Sequence, residues 1–141
     1  MAEIKLITTD ADITSTFSLM KQLRPHLAEE DYLTLIRRLQ HNHGYQLAAI
    51  IENGQAKSAA GYRVTESLAW GKYLYVDDLI TDADSRANGY AKLLLDWLEA
   101  EAAKNDCLQL HLDSGVQRHD AHRFYLNKKM NITGYHFQKN I

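Results

Sequence analysis

Three groups of residues in this sequence are of the right type and spacing to do chemistry. The first is the loop Asp82-Ala83-Asp84-Ser85-Arg86-Ala87-Asn88, which connects an apolar, strand-like run to Gly89-Tyr90-Ala91 at the head of an apolar helix. A helix start of this kind presents unpaired backbone N–H groups and the positive end of the helix dipole. Gly89 lets a ligand approach the backbone closely, small Ala91 keeps the approach open, and Arg86 adds a fork of donors suited to phosphate. The chemistry is anion binding, with a diphosphate as the natural guest. A solvated connection whose glycine relieves strain would read the same way, and the loop alone does not choose. It lacks the lysine-serine or lysine-threonine ending of a phosphate loop and the three glycines of a dinucleotide fingerprint, which argues against nucleotide hydrolysis and hydride transfer.

The second group is the pair Asp77-Asp78 inside the strand-like run Tyr73–Thr81. Strand alternation sends neighbouring side chains to opposite faces, so one of the two faces a given cleft, and Asp78 shares the face of Val76 and Ile80. The third group is Arg118-His119-Asp120-Ala121-His122-Arg123-Phe124-Tyr125-Leu126. Phe124-Tyr125 reads most simply as packed aromatics with the hydroxyl hydrogen-bonded. His119, Asp120 and His122 invite a metal reading, because residues three apart on a helix share a face, but a zinc site needs three or four ligands, with His111 or a strand aspartate as the next candidate, and no spacing here demands one. No metal is expected. Cys107, the lone cysteine, has no disulfide partner and reads as a core thiol.

The elements that position these groups follow from periodicity and punctuation. A first strand is expected at Ile4–Thr8. A helix capped by Asp12 then carries Ile13, Phe17, Met20 and Leu23 to a stop at Arg24-Pro25. A second helix spans Glu29–Asn42. Asn53-Gly54 joins two antiparallel strands, Leu47–Ile51 and Ser58–Thr65. Tyr73–Thr81 is the next strand, and the helix from Gly89 to Lys104 buries Leu93, Leu94, Trp97 and Leu98. Strand Leu108–Leu112, helix His119–Lys128 and strand Ile132–Phe137 close the chain. The order predicts an α/β (mixed α+β) fold with one central sheet.

The loop and its setting resemble the GCN5-related N-acetyltransferase (GNAT) family, whose signature is Arg or Gln, two residues, Gly, one residue, then Gly or Ala, placed after the fourth strand. Arg86, Gly89 and Ala91 match it. The likeness is strongest from about Val76 to Lys139, and the first 70 residues fit in element order only. The resemblance implies a single domain over residues 1–141, with a mixed, mostly antiparallel sheet of about six to seven strands flanked by about four helices. It implies acetyl-CoA as cosubstrate, with the amides of Arg86, Ala87, Asn88, Gly89, Tyr90 and Ala91 on the pyrophosphate and those of Leu79, Ile80 and Thr81 on the pantetheine arm. The acceptor would be a primary amine that must first lose a proton, and the family carries its strand carboxylate at either Asp77 or Asp78. Tyr125 matches the tyrosine that returns a proton to the departing thiolate.

The segment Arg118–Leu126 is similar to that of aminoalkylphosphonate N-acetyltransferases. This implies a small amine, with Arg118, Arg123 or His119 able to meet an anionic group on it. Two departures stand out. Arg118 replaces an asparagine common in the family, and Lys129 replaces a glycine, at a cost of about 1 kcal/mol if the turn needs positive φ. The rival readings are acetylation of a protein N-terminus or lysine, and a regulatory acyl-CoA-binding module without turnover.

Length and composition set the outer bounds. A chain of 141 residues, 45% hydrophobic and 24% charged, suits one soluble domain that buries roughly two-thirds of its unfolded surface. A net charge of −2 supplies no basic surplus for nucleic acid. No signal peptide and no membrane-spanning run is read, so a cytoplasmic enzyme without nucleic-acid or membrane partners is expected. Dimers are common in the family, so a homodimer is compatible with the resemblance.

Overall fold

Asn53 and Gly54 adopt φ of +53° and +76°, the angles a tight hairpin requires, and they join strand β2 (Gln46–Glu52) to β3 (Gln55–Ser67) as the sequence predicts. The computed structural model describes residues 2–86 and 88–141, in two compact units, Met1–His111 and Leu112–Ile141. The first unit opens with β1 (Glu3–Ile7) and the helices α1 (Asp10–Ser15), α2 (Phe17–Leu23) and α3 (Glu29–His43). After the hairpin come β4 (Gly71–Thr81), a single 3-10 turn at Ala83–Ser85, helix α4 (Tyr90–Lys104) and β5 (Gln109–Leu112). The five strands form a mixed sheet in the order β1-β2-β3-β4-β5, with the first three ladders antiparallel. Among the described residues no helix is long and apolar enough to cross a membrane.

One core lies under α1–α3, where Ile13, Leu19, Met20, Tyr32 and Ile36 meet Leu47, Ala49, Ala59 and Ile80 of the sheet. The α4 stripe is Tyr90, Leu94, Leu95, Leu98 and Ala102, close to one residue per turn. Trp97 meets the fully buried Tyr62 of β3 edge to face at 5.9 Å. Leu93, expected in that stripe, is 46% exposed, and Leu95 takes its place in the core.

Three further expectations are corrected. The predicted helix capped by Asp12 is two helices, and its cap lies three residues earlier, at Thr9. Thr9 caps α1 by accepting the Asp12 N–H at 3.1 Å, while the Asp12 carboxylate pairs with Lys5. The break falls at buried Thr16, whose hydroxyl bonds back to the Ile13 carbonyl and to Tyr32 Oη at 2.7 Å each, so that side-chain bonds pin the chain where helix would have continued. With this break the helices number five among the described residues, instead of about four.

Among the described residues the sheet has five strands instead of six or seven, because Ile132–Phe137 does not form one. Ile132, Tyr135 and Phe137 are 75%, 86% and 91% exposed, so no core takes up their alternation, and strand propensity without a partner edge does not make a strand. In the second unit, α5 (His119–Asn127) ends with the Lys129 N–H bonded to the Leu126 carbonyl and the Met130 N–H to the Tyr125 carbonyl.

Candidate functional site

The site begins with a defect in a ladder. Gly61 pairs with Asp78 and Tyr62 with Val76, so Asp77 is an extra residue on β4, a β-bulge. The bulge overturns the alternation argument. Asp78 still lies on the side of Ile80, but Val76 now lies opposite, and both aspartates reach partners on the α1–α3 side of the sheet.

Asp78 accepts the Tyr45 O–H at 2.7 Å on one oxygen, while Arg24 Nε at 3.0 Å and Nη2 at 2.9 Å share the other. Arg24 Nη2 also donates to the Asp77 carbonyl at 3.0 Å, the group that the bulge releases from the ladder. The Asp77 carboxylate is held bidentately by Arg63, at 2.7 and 3.0 Å, and the Arg63 guanidinium lies 5.2 Å over the Tyr75 ring. Tyr45 fits only because residue 61 is glycine, since a Cβ there would stand 1.7 Å from the Tyr45 oxygen. Burial, then the charge of Asp78, pushes the Tyr45 phenol well above its ordinary value and keeps it a donor.

Beyond the bulge, β4 runs through Leu79, Ile80 and Thr81, paired to Ala60, Ala59 and Ser58 of β3. Its other edge faces β5, which meets β4 through the Leu108 N–H to Lys72 carbonyl bond. Four residues of β5 extend roughly 13 Å, while Lys72 to Leu79 is roughly 23 Å along the strand, so β5 does not cover the far end.

The loop after β4 is fastened at several points. The Asp82 N–H bonds to the Lys57 carbonyl, and the Gln22 side chain accepts from the Ala83 N–H at 3.1 Å and donates to the Asp82 carboxylate at 3.0 Å. That bond from Gln22 is the main cause holding the Asp82 carboxyl below its usual range. Asn88 Nδ2 closes the loop onto the Ser85 carbonyl at 3.0 Å.

Gly89 then caps α4 at φ +75°, and none of the described residues comes within 4 Å of where a Cβ would stand. A glycine cap offers no side chain to the first-turn amides, and no acidic residue lies in that turn. The positive end of a 15-residue helix is thus left to a ligand. Arg86 beside it is exposed, and Ala87 lies outside the described residues. The Tyr90 side chain turns away to donate to Glu52 at 2.6 Å, which leaves only its backbone for a ligand.

In the second unit Tyr125 is half-buried, and desolvation raises its phenol above the ordinary value against a smaller opposing effect of Arg118. His122 Nε2 sits 2.7 Å from the Gly115 carbonyl, and Asp120 is paired with Arg123 at 2.6 Å, so the two are engaged locally. Lys129 has φ of +64°, the left-handed angle that favours glycine.

Sequence reasoning missed Gln22, Arg24, Tyr45 and Arg63. Arg63 had a signal, as a charge within an apolar strand. Arg24 had none, for it bonds Asp78 across 54 residues from a position that reads only as a helix stop.

The profile of the acetyltransferase (GNAT) family matches residues 12–130. The chain is 34% identical over 142 aligned positions to an uncharacterized N-acetyltransferase, YhdJ, of Bacillus subtilis, with 100% of both covered. A transcriptional regulator from Bacillus halodurans has the same fold, with a TM-score of 0.87 at 16% identity over 100% of both chains. So does the aminoglycoside N-acetyltransferase AAC(6')-Iy, solved with CoA, with a TM-score of 0.85 at 13% identity over 100% of this chain and 95% of that one. With a bulged β4, a glycine-capped α4 and a family match across most of its length, the chain belongs to the GNAT family of acetyltransferases.

Proposed function

We propose that the chain moves the acetyl group of acetyl-CoA directly to the primary amine of a small molecule. The observation that carries this reading is the start of α4, where a glycine cap, open space and the absence of first-turn acids leave backbone amides and a helix dipole for a diphosphate. The family match runs through both compact units, which supports taking residues 1–141 as one acetyltransferase domain. The small-molecule acceptor is supported by the likeness of Arg118–Leu126 to aminoalkylphosphonate N-acetyltransferases.

Acetyl-CoA would supply an acyl carbon already activated as a thioester, and the residues fit it. The amides of Arg86 and of residues 88–91, with the Arg86 side chain, would receive the pyrophosphate. The outer edge of β4 at Leu79, Ile80 and Thr81 bonds the pantetheine amides. The amine nitrogen attacks the thioester carbonyl, so that a C–N bond forms and the C–S bond breaks, with one proton leaving the amine and one reaching the sulfur.

We assign the first proton to Asp78. Asp77 has both oxygens chelated by one guanidinium, whereas Asp78 has one oxygen bonded only to a neutral phenol. We assign the second to Tyr125, whose raised phenol holds its proton at neutral pH. Asp78→Asn and Tyr125→Phe should each lower kcat by about 100-fold or more while acetyl-CoA binding, measured by calorimetry, stays unchanged. An unaltered kcat in either variant removes that residue from the chemistry.

A further inference from the structure

The two aspartates at the bulge are each covered by an arginine, and the exposures are unequal. Asp77 and Asp78 are 28% and 17% exposed, against 33% for Arg63 and 44% for Arg24. The four charges sum to zero, but the outward pole is positive. Both guanidinium groups converge on one residue, because Arg24 bonds the carbonyl of Asp77 and Arg63 its carboxylate. Arg24 spends Nε and Nη2 on these contacts, and so does Arg63, which leaves the paired hydrogens of each Nη1 unused among the described residues. Tyr45 and Gly61 fix Asp78 from beneath, and the carboxylates in turn hold the two guanidinium groups in place. A pre-oriented guanidinium loses less freedom on binding a carboxylate or phosphate than a free one.

We propose that Arg24 and Arg63 together receive an anionic group, a carboxylate or a phosphoryl, carried by the acceptor beside its amine. The proposal rests on the reading that the β4 bulge faces the acceptor, and it names the substrate class of that site: amines bearing one negative group at short range. A cationic acceptor would meet two guanidinium groups before either carboxylate. The competing account is that the arginines only fasten α2 and β3 to the bulge. That account predicts that their loss harms every acceptor alike.

The test uses three amines with the same two-carbon spacer that differ only at the far end: β-alanine (carboxylate), ethanolamine (hydroxyl) and ethylenediamine (ammonium). Relative kcat/KM is measured by thiol release, and binding by ligand-observed NMR titration without acetyl-CoA. The proposal expects β-alanine to exceed ethanolamine by about tenfold in both measurements, and ethylenediamine to be poorest. Arg24→Gln should bring β-alanine and ethanolamine close together and raise ethylenediamine, because Asp78 then lacks its counter-charge. Arg24→Lys should restore part of the preference.

Equal values for the three amines in the wild type, or a preference unchanged in Arg24→Gln, would overturn the proposal. The readouts also separate it from the transfer reaction. Charge-selective binding without thiol release would retain the receptor and sink acetyl transfer, whereas thiol release without charge selectivity would do the reverse.

Discussion

Both oxygens of the largely buried Asp78 carboxylate accept bonds, one from a phenol that burial holds protonated and one from a guanidinium. Lys129 is the opposite kind of residue, one that the fold tolerates at a cost. Its φ of +64° closes the end of α5, with the amides of residues 129 and 130 bonded back to the last helical turn. Lys129→Gly is expected to raise stability by about 1 kcal/mol, and an unchanged urea midpoint would contradict the strain. Gly89→Ala is the mirror case at the other end of a helix. Open space removes any clash, so only the +75° angle resists, at roughly 1–2 kcal/mol. Its functional expression should be a raised KM for acetyl-CoA with kcat kept, read from steady-state kinetics. Both positions were legible in the sequence, because a left-handed angle is a local demand that residue type reveals. Arg24 and Tyr45 were not, because their meaning lies in a partner 54 or 33 residues away.

Among the elements, β4 shows how one inserted residue redirects a site. Alternation assigns faces only while the ladder is regular, and a bulge is a property of two paired strands that one strand's sequence does not carry. The helix break at Thr16 has the same origin, since the hydroxyl that pins it bonds Tyr32 of α3. Apart from the break at Thr16, the order and type of strands and helices were read correctly from Ile4 to Lys128, down to the Asn53-Gly54 turn. The segment Ile132–Phe137 had the pattern but no partner, and forms no strand. Gly61→Ala probes the element as a whole. Its Cβ would stand 1.7 Å from Tyr45 Oη and must displace the ring, taking a donor from Asp78. A loss of about 1–3 kcal/mol is expected in chemical denaturation, and a wild-type midpoint would mean that Tyr45 is not held there.

At the scale of the whole molecule, the buried phenols couple stability to alkaline pH. Tyr45 and Tyr62 are raised chiefly by burial, and Tyr32 likewise. Unfolded phenols ionise near 10.0 while the folded ones keep their protons, so the unfolded state binds fewer protons above that pH. Stability should therefore be level with respect to these groups below about pH 10 and fall as the pH rises beyond it. Urea unfolding at pH 8 and pH 11 measures this, and Tyr45→Phe should flatten the fall. The family match across residues 12–130 makes acetyl transfer the molecule's chemistry, and the most direct measurement of it is free thiol released from acetyl-CoA in the presence of an amine panel, with the acetylated product identified by mass. The account predicts amine-dependent thiol release matched one for one by N-acetylated small molecule. Tight acetyl-CoA binding with no amine-dependent thiol would contradict it.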